Sequence, residues 1–333
     1  MNVRSKNIIE SKLVEHTAFV KISTKLGQCM DSALYSDHPI SLAIIGESRT
    51  GKTTVAEQFC SGYLPYRVPE GRKVPILKVI TPSEPTIIGL AEHMLCHMGD
   101  ERFYNGTRTA KTIRLKKLIN SAETKMVMID EFQHFVDKAT DRVIHSAADW
   151  LKTLVEECGV SLVILGLESA LSVLDQNEQL RGRFSAPIEM PRFDWSNEAH
   201  RDEFSAVVSA FEDEITKNFD SVELSNHEMT FRLYVATGGL IGYLWKFLRQ
   251  VIVNATDSDS TTICLQDLDV AYKDSIGVRS GPSPFDEEIK YRATKNLVEK
   301  VMTIGTHVQT KVESKRRSGR KKLESVSSIL GAS

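Results

Sequence analysis

The sequence predicts an α/β protein in which a five-stranded parallel sheet carries helices on both faces and is followed by a small α-helical lid. Up to about residue 190, short apolar segments rich in β-branched residues alternate with segments of helical periodicity, a pattern typical of parallel sheets. From Asn197 to Ser275 the periodicity is helical only. The chain of 333 residues is long enough for one large and one small domain.

The first apolar segment, Leu42–Ile45, runs directly into a loop with the spacing G-x-x-x-x-G-K-[ST]. Such loops wrap the phosphates of a nucleoside triphosphate, because their glycines allow close backbone approach and their N–H groups face the phosphates. We expect Lys52 to reach the β and γ phosphates and the Thr53 hydroxyl to bind Mg²⁺. The predicted cofactors are therefore ATP and Mg²⁺. The predicted nucleotide-binding residues are Gly46, Glu47, Ser48, Arg49, Thr50, Gly51, Lys52, Thr53 and Thr54.

The other elements follow in order along the chain. The predicted strands cover 41–45, 74–80, 125–129, 160–166 and 186–189, and the predicted helices between them include 87–98, 109–122 and 143–158. These elements divide the chain into an N-terminal helical segment (1–40), a core (41–194), a lid (195–278), and a last segment (279–333) with a linker, a short helix at 286–302 and a basic tail. We expect this tail to be disordered when it is free.

Asp130 and Glu131 stand at the end of the third predicted strand, directly after the four apolar residues 126–129. In phosphate-loop proteins, a carboxylate at the end of such a strand binds Mg²⁺ directly or through water, which is the role we expect of Asp130. A neighbouring carboxylate can orient and deprotonate a water molecule aimed at the γ-phosphate. Glu131 is therefore the predicted catalytic base, and its presence favours hydrolysis over transfer of a phosphoryl group to a metabolite.

An arginine pair precedes the fifth predicted strand, in the segment Gln179–Phe184. An arginine presented by a neighbouring subunit can neutralise charge on the γ-phosphate in the transition state. We expect Arg183 to play this part, with Arg181 as the reserve candidate. The alternative is a surface arginine paired with an acidic neighbour.

Charge is unevenly distributed, although the net charge is only −2. Residues 101–125 carry seven basic and two acidic side chains, and residues 311–322 carry seven basic and one acidic. Such asymmetry suggests an electrostatic partner such as nucleic acid, and the alternative is that each basic segment is a solvated helix face or tail. On the basic helix, the predicted DNA-backbone residues are Arg108, Lys111, Arg114, Lys116 and Lys117. The apolar side chains expected to pack this helix inward are Ile113, Leu115, Leu118 and Ile119.

The composition of the chain indicates the cellular location in which the protein is expected to act. No apolar run approaches the roughly 18 residues that span a bilayer, and the N-terminus lacks the pattern of a secretory signal. The five cysteines are scattered without paired spacing, which argues against a disulfide framework or a zinc site. We therefore expect a cytoplasmic protein without a membrane partner.

Taken together, the motifs resemble those of the AAA+ ATPases, and within them those of the TniB/TnsC transposition regulators. The similarity is carried by the phosphate loop, by Met126–His134, by Leu162–Leu167, by Leu180–Phe184 and by Thr237–Leu244. The forms Asp-Glu-Phe-Gln-His and Gly-Gly-Leu-Ile-Gly-Tyr-Leu are what point to TniB/TnsC. In length the chain is closer to the short TnsC proteins of CRISPR-associated transposons.

This resemblance implies an AAA+ core with a helical lid and ATP bound at subunit interfaces. It also implies a homo-oligomer, either a ring or a helical filament, that forms on double-stranded DNA in the ATP state. Such an assembly marks a target site together with a target-selection protein and recruits transposase subunits, whose contact stimulates hydrolysis and disassembly.

Two departures from the AAA+ pattern stand out. Many AAA+ lids place an arginine in a G-x-x-R setting, whereas here Gly238-Gly239 lead to Ile241 and Gly242. A polar residue often ends the fourth strand to sense the γ-phosphate, whereas here the strand ends in Gly166-Leu167. Both departures favour slow intrinsic turnover, which suits a switch better than a motor.

Two other functions compete with this interpretation. One is a nucleotide-gated signalling or protein-interaction scaffold without DNA binding, whose basic clusters would meet acidic partners. The other is a small-molecule kinase, which the presence of Glu131 disfavours.

Overall fold

The computed structural model describes residues 8–10, 12–137, 140–276, 283–286 and 294–305. The chain divides into two compact units, one of residues 17–191 and one that combines residues 1–16 with 192–333. We call the first the sheet unit and the second the helical unit, and describe each by itself.

The sheet unit contains a five-stranded sheet in which every strand is parallel to its neighbours, in the order β4-β5-β6-β1-β7. Its strands and flanking elements are α1 (Thr17–Tyr35), β1 (Leu42–Ile45), α2 (Lys52–Ser61), β2 (Tyr66–Val68), β3 (Gly71–Lys73), β4 (Ile76–Ile80), α3 (Ile87–His97), α4 (Arg108–Ser121), β5 (Met126–Asp130), α5 (His134–Asp137), α6 (Asp141–Cys158), β6 (Ser161–Gly166), a 3₁₀ turn (Glu168–Ala170), α7 (Leu171–Leu174), α8 (Glu178–Arg181) and β7 (Ile188–Glu189). The predicted fold class is confirmed.

Between their end residues the central strands are apolar, as is typical of a parallel sheet with helices on both faces. Strands β5 and β6 are buried at every residue, and α6 buries one face along its length, including Trp150 and Leu154. Because all strands of the large sheet are parallel, their carboxyl ends meet at one edge. Gly46, Glu131 and Leu167 each come directly after a strand, and therefore lie at this edge.

The helical unit is built from α9 (Glu198–Ile215), β8 (Asp220–Ser221), α10 (His227–Thr237), α11 (Ile241–Asp257), β9 (Thr262–Ile263), α12 (Leu265–Ser275) and α13 (Lys295–Val301). Its core is rich in aromatic side chains, and Tyr234 lies buried beside Trp195, Phe204 and Phe231. Burial raises the pKa of Tyr234 to about 12. Arg232 donates from Nη1 to the carbonyls of Pro284 and Asp286, both at 2.9 Å, and so fixes the segment 283–286 against α10.

Several sequence predictions for these elements were wrong. Residues 12–16 are not helical, and the first helix begins only at Thr17; Ile8, Ile9 and Val14 instead pack against the core of the helical unit. The segment predicted as one unit, 1–40, is therefore divided after His16. The lid region also contains two short paired strands, β8 and β9, where only helices were expected.

The last segment of the chain differs in part from its prediction. The helix predicted at 286–302 begins at Lys295, after the side chain of Thr294 caps its first turn by accepting from the Leu297 N–H at 3.3 Å. Residues 287–293 and the basic tail beyond residue 305 lie outside the described residues. Within the described residues, no helix is both long and apolar enough to cross a membrane.

The sheet unit also contains a feature that the sequence interpretation missed, an antiparallel hairpin formed by β2 and β3. Its strands are only three residues long, too short for the alternation of apolar and polar residues to identify them. The hairpin is a separate two-stranded sheet and does not extend the large one.

Candidate functional site

The predicted phosphate loop adopts a backbone that only particular residues tolerate. Gly46 and Gly51 have φ angles of 157° and 104°, and Arg49 between them has a φ of 68°. A Cβ on Gly46 would lie 2.3 Å from the carbonyl oxygen of Met190, so no larger residue fits at this position. The Gly46 N–H donates to the Gly166 carbonyl at 3.1 Å, which ties the loop to the end of β6. The loop is thus fixed at the carboxyl edge of the sheet.

Lys52 is the first residue of α2, and its side chain turns back into this loop. Its ammonium group donates to the carbonyls of Gly46 at 2.8 Å and Glu47 at 2.7 Å, so it points back into the loop that should hold the phosphates. Burial lowers the pKa of Lys52, and the nearby carboxylates of Glu131 and Asp130 oppose this shift. The remaining loop positions are arranged around it: the buried Thr50 hydroxyl donates to the Glu47 carbonyl at 2.9 Å, while Ser48, Arg49 and Thr54 are exposed.

Thr53 and Asp130 form a pair suited to Mg²⁺. The Thr53 hydroxyl donates to Oδ2 of Asp130 at 2.7 Å, although the two residues are 77 positions apart in the sequence. The Asp130 carbonyl accepts from both the N–H and the hydroxyl of Thr81 at 2.9 Å, which fixes the end of β5. One hydroxyl and one carboxylate at the phosphate loop are the oxygen ligands that phosphate-bound Mg²⁺ uses. The two side chains therefore fit the predicted metal role.

Glu131 stands next to this pair on a strained backbone. Its φ of 54° lies in the left-handed region, which is uncommon for a residue other than glycine. The conformation is held by its own N–H, which donates to Oδ1 of Asp130 at 2.8 Å, and by the Phe132 N–H, which donates to the Leu165 carbonyl at 3.0 Å. The turn leaves the Glu131 side chain exposed at the edge of the sheet that carries the phosphate loop.

Gln133 contacts this glutamate and was missed by the sequence interpretation. It is buried, its amide nitrogen donates to the Glu131 carboxylate, and its amide oxygen accepts from the Leu167 N–H at 3.2 Å. A Cβ on Gly166 would lie 2.7 Å from that amide oxygen, so the glycine at the end of β6 leaves room for the glutamine. The strand β6 ends without a polar side chain of its own, and the structure places one there from the turn that follows β5.

Arg183 lies at the opposite edge of the sheet from the phosphate loop. Its carbonyl accepts from the Ser41 N–H at 2.9 Å, and Ser41 precedes the first residue of β1. Gly46 lies five residue steps beyond Ser41 along this extended segment, or about 16 Å at 3.3 Å per residue. This distance is more than an arginine side chain can bridge, so Arg183 cannot reach the phosphates bound by its own chain.

The guanidinium of Arg183 has a partner within the sheet unit. It is half-buried and donates from Nη2 to Glu156 at 3.0 Å in α6. Although burial opposes the shift, the hydrogen bond from Arg183 and the charge of Lys152 hold the pKa of Glu156 below its ordinary value. Arg181, the reserve candidate, lies 3.8 Å from Asp175 and is more exposed.

On the basic helix α4, three of the five predicted DNA-contacting cations are engaged inside the sheet unit. Lys111 is buried in an ion pair with Glu92, Arg114 pairs with Asp100 at 2.5 Å, and Lys116 pairs with Glu157 at 2.5 Å. Arg108 and Lys117 are exposed.

The apolar side of α4 follows the prediction except at one position. Leu115 and Ile119 are buried and Leu118 packs against the core. Ile113, which was expected to pack inward, is 52% exposed. Ile113 precedes the buried Leu115 by two residues and the buried Ile119 by six. This spacing places Ile113 on another face of the helix.

The fold is shared with solved structures of low sequence identity. Cdc6p from Pyrobaculum aerophilum superposes with a TM-score of 0.60 at 12% identity, covering 81% of this chain and 71% of that one. The Aeropyrum pernix ORC2 protein in its ADP form gives 0.59 at 13% identity, covering 81% and 72%. The A. pernix ORC1 protein in complex with DNA gives 0.56 at 13% identity, covering 81% and 69%. These similarities establish the AAA+ fold.

A comparison with family models gives a more specific result. No curated protein sequence matches the chain. The family model described as "Bacterial TniB protein" matches residues 4–195, more than half of the 333 residues and all of the sheet unit. The match contains the phosphate loop, the Asp130-Glu131 pair and Arg183, as the resemblance of the motifs led us to expect. The chain therefore belongs to the bacterial TniB family.

Proposed function

We propose that this protein is an ATPase that regulates DNA transposition. In the ATP state it assembles on double-stranded DNA, marks the target site and recruits the transposase, and hydrolysis drives disassembly. The observation that carries the proposal is the placement of Lys52, Thr53, Asp130 and Glu131 at one edge of the sheet, with Arg183 at the other. Membership of the TniB family supplies the context of transposition.

Each residue of the site has a separate role in ATP hydrolysis. Lys52 leaves its loop carbonyls to hold the β and γ phosphates. Mg²⁺ bound at Thr53 and Asp130 would neutralise negative charge on the same phosphates. Glu131 accepts a proton from the water that attacks the γ-phosphorus, and the bond to the β-phosphate oxygen breaks to give ADP and phosphate.

The position of Arg183 supports an assembly in which each site is completed by a neighbour. An arginine at one edge and a phosphate loop at the other suit a head-to-tail contact, which repeats to give a ring or a helical filament. In such a contact Arg183 would exchange Glu156 for the γ-phosphate of the adjacent subunit. The completed site would then exist only in the assembled state.

We also propose that turnover is slow and stimulated by a partner. The G-x-x-R arginine is absent at Gly238–Ile241, and no polar side chain of β6 itself ends that strand. A site without these two groups would hydrolyse slowly until transposase subunits complete or reshape it. We also propose that the protein acts together with a target-selection protein and is located in the cytoplasm.

One observation favours the alternative of a scaffold without DNA binding. Three of the five cations predicted to contact DNA are already neutralised by carboxylates of the sheet unit. If DNA binding depended on α4 alone, only Arg108 and Lys117 would be available.

The decisive experiment is binding of the full chain to fluorescent duplexes of two lengths, with an ATP analogue, with ADP or without nucleotide. We expect binding that requires the ATP analogue and strengthens with duplex length, because a longer duplex accommodates more subunits. The Lys52→Ala variant is the control and should lose the nucleotide-dependent assembly. Nucleotide binding with no response to either duplex would contradict the proposal and favour the scaffold.

A further inference from the structure

The β2–β3 hairpin presents two arginines that no part of the nucleotide site uses. Its strands pair Tyr66 with Lys73, Arg67 with Arg72, and Val68 with Gly71, across a two-residue turn. Residues directly opposite each other in an antiparallel pair project from the same face. Arg67 and Arg72 therefore share one face, and Tyr66 and Lys73 share the other.

The face that carries Lys73 is anchored to the body of the sheet unit. Lys73 is buried, and its ammonium group donates to the Ser121 carbonyl at 3.1 Å and to the Glu123 carboxylate at 2.5 Å. Both partners lie at the end of α4, so the hairpin is held in a fixed orientation. The face with the two arginines consequently points away from the core, and both arginines are exposed.

The arginine pair is unfavourable for the isolated chain. Two like charges directly opposite each other in an antiparallel pair destabilise it. Within the part of the chain that the structure describes, neither arginine forms an ion pair that would relieve the repulsion. An anionic partner would remove this cost, and the planar guanidinium fork is suited to phosphate oxygens.

A neighbouring turn extends the cationic surface. The hypothetical Cβ of Gly99 would lie 3.1 Å from Nη1 of Arg72, so this guanidinium lies against the turn that follows α3. That turn carries the exposed Arg102 and is fixed by Arg114, which pairs with Asp100 and donates to the Arg102 carbonyl at 2.8 Å. Arg114 thus has a structural role, while Arg67, Arg72 and Arg102 remain exposed.

We propose that Arg67 and Arg72, assisted by Arg102, form a binding site for the phosphate backbone of double-stranded DNA. The proposal rests on the DNA-dependent assembly proposed above and moves most of the phosphate contacts from α4 to the hairpin and the adjacent turn. Contacts of this kind position the duplex without reading its sequence.

The test compares two double variants of the full chain in the ATP-analogue state. Arg67→Ala/Arg72→Ala removes the proposed contacts, and Lys21→Ala/Lys25→Ala removes two exposed cations from α1 as the matched control. The slope of log affinity against log salt is negative, and each lost phosphate contact should reduce its magnitude by about 0.9. We expect the slope of the arginine variant to be less steep by about 1.8, and its affinity at 0.1 M salt to be lower by at least about tenfold. The control should keep the slope of the unmodified chain.

Two further measurements separate binding from folding. The arginine variant should unfold at the same temperature as the unmodified chain or slightly above it, because the repulsion between the two guanidinium groups is removed. Arg67→Lys/Arg72→Lys should keep the salt dependence and lose part of the affinity, because it keeps the charge and loses the fork.

The outcomes distinguish the inference from the proposed function. If the unmodified chain binds duplex DNA and the arginine variant binds equally well with the same salt dependence, the hairpin site is wrong and the proposed function stands. If the unmodified chain does not bind duplex DNA at all, the proposed function fails and this site fails with it. Loss of ATP-dependent assembly in the absence of DNA would identify the partner of the hairpin as another copy of the chain and also overturn the site.

Discussion

At the scale of single residues, the candidate site depends on the orientation of Glu131. Its left-handed backbone conformation and the contact from Gln133 direct the carboxylate from two sides. A base that takes a proton in the transition state contributes typically about 10²–10⁴-fold to the rate. Small errors in its position reduce that contribution steeply.

We expect Glu131→Gln to lower ATP hydrolysis by at least about 100-fold, because glutamine cannot accept the proton. Nucleotide binding should persist, since Lys52 and Thr53 are unchanged, and the variant should stay in the ATP-bound assembled state. Phosphate release and sedimentation measure the two effects. Hydrolysis at the unmodified rate would remove Glu131 from the role of base.

Gln133 gives a second prediction at this scale, as a positioning residue. We expect Gln133→Ala to lower kcat about 10- to 100-fold with little change in KM for ATP, because it releases the Glu131 carboxylate and leaves the phosphate loop intact. Gly166→Ala should reproduce this effect, since its Cβ would displace the glutamine amide oxygen.

The control for this pair is Gly62→Ala, whose Cβ would make only an ordinary contact at 3.5 Å from the Phe59 carbonyl. Steady-state kinetics of the four proteins decide the assignment. An increase in kcat on loss of Gln133 would show that the glutamine restrains Glu131 and would contradict the positioning role.

At the scale of elements, α4 carries two kinds of cationic side chains: some are held in ion pairs within the sheet unit, and others are exposed to solvent. Lys111 is 4% exposed and Lys117 is exposed, although both contribute equally to the charge of the segment. The partner of Lys111, Glu92, lies in α3, so the ion pair joins two helices. Removing one member of such a pair leaves a partly desolvated carboxylate behind.

We expect Lys111→Ala to lower the free energy of unfolding by about 1–3 kcal/mol, because Glu92 loses its partner. Lys117→Ala should change it by less than about 0.5 kcal/mol, since the side chain is exposed. Thermal unfolding of the two variants provides the comparison. Equal unfolding temperatures would mean that the Lys111–Glu92 pair contributes no net stability.

At the scale of the whole molecule, the proposed function requires one chain to complete the site of another. Because Arg183 and the phosphate loop lie at opposite edges of the sheet, a single copy contains both parts of the proposed catalytic site without bringing them together. Hydrolysis should therefore depend on assembly.

We expect Arg183→Ala and Glu131→Gln to be inactive separately and to recover activity when mixed. In a mixed assembly, an Arg183→Ala copy supplies an intact Glu131 and its Glu131→Gln neighbour supplies an intact arginine. Random head-to-tail mixing in equal amounts would complete roughly a quarter of the sites. The rate of phosphate release from the mixture measures this recovery.

The same mixture with Arg181→Ala in place of Arg183→Ala tests the reserve candidate. If Arg181→Ala is inactive alone and recovers activity in the mixture, whereas Arg183→Ala is active alone, the assignment moves to Arg181. A mixture that stays as inactive as its two components, while assembly is intact, would contradict completion of the site in trans by Arg183.

The sequence by itself determined the fold class, the phosphate loop and the carboxylate pair. These features are local: the loop needs two glycines, a lysine and a threonine at fixed spacing, and the pair needs only a buried strand before it. Five apolar segments sufficed to predict the five strands, and the structure shifts their ends by no more than two residues. The same motifs led correctly to the TniB family.

Only the tertiary structure decided which charges are exposed and which side chains meet. Lys111 pairs with Glu92 and Lys116 pairs with Glu157, at separations of 19 and 41 residues. No periodicity along the chain predicts such pairs. The contact of Gln133 with Glu131 likewise depends on β6 lying beside β5 and on the space left at Gly166. Composition fixes how many charges a segment carries, whereas packing decides which of them are neutralised within the fold and which remain exposed to a partner.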